Sequence, residues 1–145
     1  MTKTLILSAF CAALASACTS APATRPACPT AMQMEQPELL GLWQAELPGL
    51  PGPVTLQLAP HPEWNGTVKG QIQRPGGTAI VVGDVDKGKL TMEESADGKK
   101  VSGTWLGEVV DGSCGREIRG EWLDANDNSH AFVMRKPSKT PQSPQ

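Results

Sequence analysis

The chain has 145 residues, with 13 Lys and Arg against 15 Asp and Glu, a formal net charge of −2, and no clustering of the basic residues. That balance excludes a nucleic-acid surface, which needs a basic patch, and there is no polybasic or amphipathic run to lie on a membrane. The length suits one domain, and not all of it is available to build a core.

The N-terminus reads as a secretory signal over residues 1–17. Lys3 gives a short positive region. Leu5, Ile6, Leu7, Ala9, Phe10, Ala12, Ala13 and Leu14 give an apolar stretch, and Ala15-Ser16-Ala17 closes it with small residues. The stretch is shorter than the roughly 20 apolar residues of a membrane-spanning helix. Two cleavage sites compete. Ala15-Ser16-Ala17 fits ordinary signal peptidase, which implies a soluble secreted or periplasmic protein. Leu14-Ala15-Ser16-Ala17-Cys18 resembles the lipobox of bacterial lipoproteins, in which the cysteine becomes the acylated (palmitate-bearing) first residue. Cysteine parity favours the second. Of four cysteines, Cys11 leaves with the signal, lipidation uses Cys18, and Cys28 and Cys114 remain as one disulfide pair. Such a protein meets the membrane through its N-terminal lipid. Thr19 stands where an Asp tends to retain lipoproteins at the inner membrane, which favours the periplasmic side of the outer membrane.

Residues 18–37 contain Pro22, Pro26 and Pro29 among Ala, Ser and Thr and read as a semi-extended linker, neither helix nor strand. The folded domain is expected over 38–136, roughly 100 residues, enough for one modest core. Residues 137–145, with Pro137, Pro141 and Pro144, read as a disordered tail.

Within the domain, apolar and polar residues alternate in eight short runs: 40–47, 53–58, 67–74, 78–85, 89–94, 99–109, 116–123 and 130–135. Gly, Pro, Asn and Asp punctuate them, as in Pro48-Gly49, Pro75-Gly76-Gly77, Asp86-Lys87-Gly88 and Asp111-Gly112. The connections are too short for crossover helices, so consecutive strands pair antiparallel. An eight-stranded meander with one apolar face closes most economically into an all-β, antiparallel up-and-down barrel, which removes exposed edges. In the sixth run Val101, Gly103, Trp105, Gly107 and Val109 share the inward side.

Three Gly-x-Trp triplets stand out: Gly41-Leu42-Trp43, Gly103-Thr104-Trp105 and Gly120-Glu121-Trp122. Their tryptophans fill a narrow barrel or line a ligand cup at one mouth. With the meander and a late Arg135, the first triplet resembles the calycin group of avidin-like and lipocalin-like barrels, and similar small periplasmic protease inhibitors. The resemblance spans about residues 40–135. It implies that Arg135 packs over Trp43.

Catalytic constellations are thin. The two histidines, His61 and His130, exclude a histidine-rich metal site. Ser113 lacks the spacing of a nucleophile elbow. Glu93 and Glu94 read as outward-facing, and no phosphate loop precedes a helix. No enzyme activity, cofactor or metal is expected. The reading is an envelope protein that binds or inhibits a protein partner through its loops, chiefly 48–52 and 60–66. Trp64 is the apolar anchor, with His61 beside it. The alternative is a carrier of small apolar ligands, with a cavity lined by Trp43, Trp105 and Trp122.

Overall fold

A computed structural model describes residues 28–138. The signal, the lipidation at Cys18, the linker before Cys28 and the tail from residue 139 onward, all expected from the sequence, lie outside the described residues. Eight antiparallel strands form a closed barrel in simple sequence order: β1 (Gly41–Glu46), β2 (Val54–Pro60), β3 (Val68–Arg74), β4 (Gly77–Asp86), β5 (Lys89–Ser95), β6 (Gly103–Val109), β7 (Glu117–Asp124) and β8 (Ser129–Arg135). β8 returns to pair with β1, Ala45 opposite Met134, so no strand edge is left open. The meander and closure agree with the sequence pattern.

Alternation sets the core. Leu56, Leu58, Val68, Ile72, Val81, Leu90, Met92, Ile118, Phe132 and Met134 are all buried inside. Across the β6–β7 register Trp105 faces Trp122, their rings 6.1 Å apart, and Phe132 meets Trp105 edge-on at 4.9 Å. The Gly-x-Trp triplets have different causes. A Cβ on Gly103 would run into the Trp122 indole, and one on Gly120 into the Leu106 carbonyl of the neighbouring strand. Gly41 has nothing beside it, but its φ of +103° disfavours any other residue.

Two expectations on boundaries change. The sixth strand begins at Gly103, not at residue 99, and Val101 is exposed instead of inward. The cause is local: the Asp97 carboxylate accepts the backbone N–H groups of Lys99 and Lys100, both at 2.8 Å, and holds those residues in a turn.

Residues 28–37 are not a free linker. They carry a 3-10 turn (Ala31–Gln33) and a one-turn helix, α1 (Gln36–Leu39). The Gln33 and Glu38 side chains reach back to the N–H groups of Thr30 and Glu35. Met34 and Leu39 are buried against the barrel core, and the Trp43 indole donates to the Leu39 carbonyl at 2.7 Å. Cys28 is bonded to Cys114 in the β6–β7 loop, with Cα atoms 4.8 Å apart across a separation of 86 residues. This segment plugs one end of the barrel. The prolines that suggested a linker are compatible with its short turns: Pro37 sits in the first turn of α1, where no N–H is needed.

Candidate functional site

The loop after β2 is built around a histidine. His61 Nδ1 accepts the backbone N–H groups of Glu63 at 3.1 Å and Trp64 at 3.2 Å. The His61 N–H donates to the Thr67 carbonyl at 2.9 Å, which closes the loop at its base. The Trp64 indole then stacks on the imidazole, centroids 4.2 Å apart and planes within 7°. Trp64 is held yet open, 57 % exposed.

Beside it the outer wall of the barrel forms a hollow of about 390 Å³. Its floor is Ile80 and Val82 on β4. Val101, in the turn that Asp97 creates, lies at the far end, and Lys69, Glu93, Lys99 and Lys100 stand around the rim. Of the six large apolar side chains exposed among the described residues, three (Trp64, Ile80 and Val101) gather here. Met32, Leu42 and Leu106 do not line it. Single exposed apolar residues are ordinary; here three of them border one hollow, with charged side chains around it.

The other sequence-chosen residues do not join this hollow. Trp43 and Trp105 are 0 % exposed, so no water-sized space adjoins either indole, and Trp122, packed on Trp105 and 7 % exposed, borders a separate hollow at the barrel mouth with Arg74, Glu94 and Asp124. They fill the barrel. Arg135 does not cover Trp43. β8 alternates Phe132 and Met134 inward, so Arg135 points out, where its Nε donates to Glu117 at 3.0 Å and its guanidinium also reaches Glu46 at 3.6 Å. The next residue takes the expected place: Lys136 Nζ lies 5.3 Å from the Trp43 ring and donates to the Leu40 carbonyl at 2.9 Å. Partial burial lowers the Lys136 pKa, Arg116 adds to this, and Glu38 opposes it. The two candidate loops also separate. Residues 48–52 join β1 to β2 at the end of the barrel opposite to residues 61–67.

No family model and no curated protein matches this chain. The reading of its surface therefore rests on its own geometry.

A polar group missed in the sequence closes the end of the barrel opposite the plug. Glu94 continues the inward series Leu90, Met92 and is 4 % exposed, instead of facing out beside Glu93. Its carboxylate accepts the Trp105 indole N–H at 2.9 Å and pairs with Arg74. The nearer guanidinium nitrogen, Nη2, approaches Oε1 at 2.5 Å but off the line of a hydrogen bond. Arg74 in turn lies 5.0 Å from the Trp122 ring. Period-two alternation was the signal available for both residues. Among the described residues no three His, Cys, Asp or Glu side chains gather as a metal site would need.

Proposed function

We propose that this is a non-enzymatic cell-envelope lipoprotein, anchored through Cys18, that binds or inhibits a protein partner. The partner docks on the outer wall of the barrel at the Trp64 hollow. The observation that carries this reading is the fixed, exposed indole of Trp64 at the head of a hollow floored by Ile80 and Val82 and ended by Val101. A large aromatic whose orientation is already set loses little entropy on binding, which is the property of an interface anchor.

The hollow's chemistry suits an extended protein segment. An apolar side chain would sit against Trp64, Ile80 and Val82. A carboxylate on that segment would face Lys69, Lys99 or Lys100. Binding on the outer wall leaves the filled barrel undisturbed, so it needs no opening of the core.

The test is affinity capture from a cell-envelope extract with the full-length protein. A partner held by the native protein and lost by Trp64→Ala, but kept by Leu42→Ala on a different part of the wall, supports the reading. Equal capture by native protein and Trp64→Ala rejects it. Mass spectrometry of the mature N-terminus tests the anchor: an acylated Cys18 at the first position is expected, and an unmodified one contradicts it.

A further inference from the structure

Three loops of this barrel use the same device, a side-chain acceptor that gathers the backbone N–H groups just ahead of it. Asp97 holds Lys99 and Lys100. Asp124 holds Asn126 at 2.8 Å and Asn128 at 3.0 Å. The third loop, beneath Trp64, uses His61 for Glu63 and Trp64. A carboxylate keeps its lone pairs well into the acid range. An imidazole nitrogen accepts only while it is unprotonated. With Nδ1 as acceptor, the proton of the neutral ring sits on Nε2.

We propose that His61 is an acid-released latch on the Trp64 docking platform, holding the indole in place when neutral and letting it go when protonated. This rests on the docking role given to Trp64 above. A proton added at Nδ1 takes up the lone pair that two backbone donors share, and the N–H groups of Glu63 and Trp64 then face a donor in place of an acceptor. Both bonds are lost together, and the turn that aims Trp64 loses its centre. Histidine is the side chain that ordinarily makes this change between pH 5 and 8.

The charged groups facing the same hollow are Glu63 from the loop itself, Lys69 from β3, Glu93 from β5, and Lys99 and Lys100 from the turn before β6, while Asp84 of β4 stands with Glu93 on the other side of Trp64. Glu94 also borders the hollow, but its carboxylate is engaged with Arg74 and Trp105. Among the described residues, the two backbone donors are the hydrogen-bond partners of the imidazole.

The deciding experiment follows the backbone amides of Glu63 and Trp64 by nitrogen-edited NMR in the full-length protein, from pH 8 to pH 5. Acrylamide quenching of Trp64, taken as native protein minus Trp64→Phe, is measured alongside. Both amides are expected to shift in one step, and the Trp64 quenching constant to rise, by less than about twofold because the residue is already 57 % exposed. His61→Asn is the informative variant, because its Oδ1 accepts the same two bonds without titrating. It should leave both signals flat. Flat amides in the native protein, or an unchanged titration in His61→Asn, would overturn the latch.

Capture from envelope extract separates this claim from the one beneath it. Loss of the captured partner with Trp64→Ala at pH 8 tests docking alone. If docking holds, capture by the native protein should fall roughly tenfold or more between pH 8 and pH 5, for lost order worth about two hydrogen bonds, and His61→Asn should retain it. Docking that survives at pH 5 in the native protein contradicts the latch and leaves the docking surface standing.

Discussion

Glu94 shows how one side chain can tie a core together. It is a buried carboxylate whose two partners, Arg74 and the Trp105 indole, come from different strands. Removing one partner of a buried ion pair is costly because the other is left uncompensated. Glu94→Ala is expected to lower unfolding stability by about 3 kcal/mol, measured by urea denaturation; a change near zero would show that the pair contributes nothing. Asp124 makes a second prediction at this scale. Its hydrogen bonds, first from the Asn128 side chain and then from the Asn126 and Asn128 backbone, hold its pKa down from 3.8 to about 2. A carboxylate with a lowered folded-state pKa adds stability above its unfolded value and loses it as pH falls through the folded one. Glu117, held down by Arg119 and Arg135, acts in the same direction. Thermal melts should therefore show stability falling as pH drops from about 4 to about 2, with a shallower fall in Asp124→Asn. The inward alternation that reveals Arg74 and Glu94 is present in the sequence, but a charged residue at an inward position reads as a face change until its partner is known. Lys136 was hidden for a related reason: the inward series Phe132, Met134, Lys136 runs past the end of the strand, so Arg135 looked like the last candidate to cover Trp43.

At the scale of elements, the strands were legible because Gly, Pro, Asn and Asp mark nearly every turn and the connections leave no room for helices. The start of β6 was not. Val101 continues the inward alternation of Gly103 and Trp105, and the turn in which Asp97 captures two backbone N–H groups and the Ser102 hydroxyl accepts from Ala96 removes it from the strand. The segment of residues 28–37 reads as a linker because its composition is that of one, while its order comes from tertiary contacts: the disulfide, buried Met34, and the neighbouring Leu39, which is buried and bonded to Trp43. Its function is to close a barrel end, so its loss should be felt globally. Cys28→Ser is expected to cost about 3 kcal/mol by releasing a long loop in the unfolded chain. For a domain of this size that is a fall in melting temperature of roughly 10–20 °C. An unchanged melting temperature under matched non-reducing conditions would show that the plug is held without the bridge. A truncation beginning at Met34 removes Cys28 and should behave like that variant.

For the molecule as a whole, the barrel divides its work between inside and outside. Three tryptophans, Trp43, Trp105 and Trp122, are spent on filling the interior, and the two ends are closed by a disulfide-tied plug and by the Arg74–Glu94 pair. The fourth, Trp64, stands on the outer wall. Its place in the 60–66 loop was readable from the flanking prolines and Asn65-Gly66. The hollow beside it was not, since Ile80, Val82 and Val101 come from two other parts of the chain and meet only through strand register and the Asp97 turn. The central claim is that this hollow, and not the barrel interior, meets the partner. Its most direct test is site-specific photocrosslinking in intact cells, with a benzophenone side chain placed at Val101 in the hollow or at Leu106 elsewhere on the wall. A discrete protein adduct at Val101 that disappears with Trp64→Ala, and none at Leu106, is the expected result. Adducts of equal yield at both positions, or an adduct at Val101 that persists in Trp64→Ala, would contradict it.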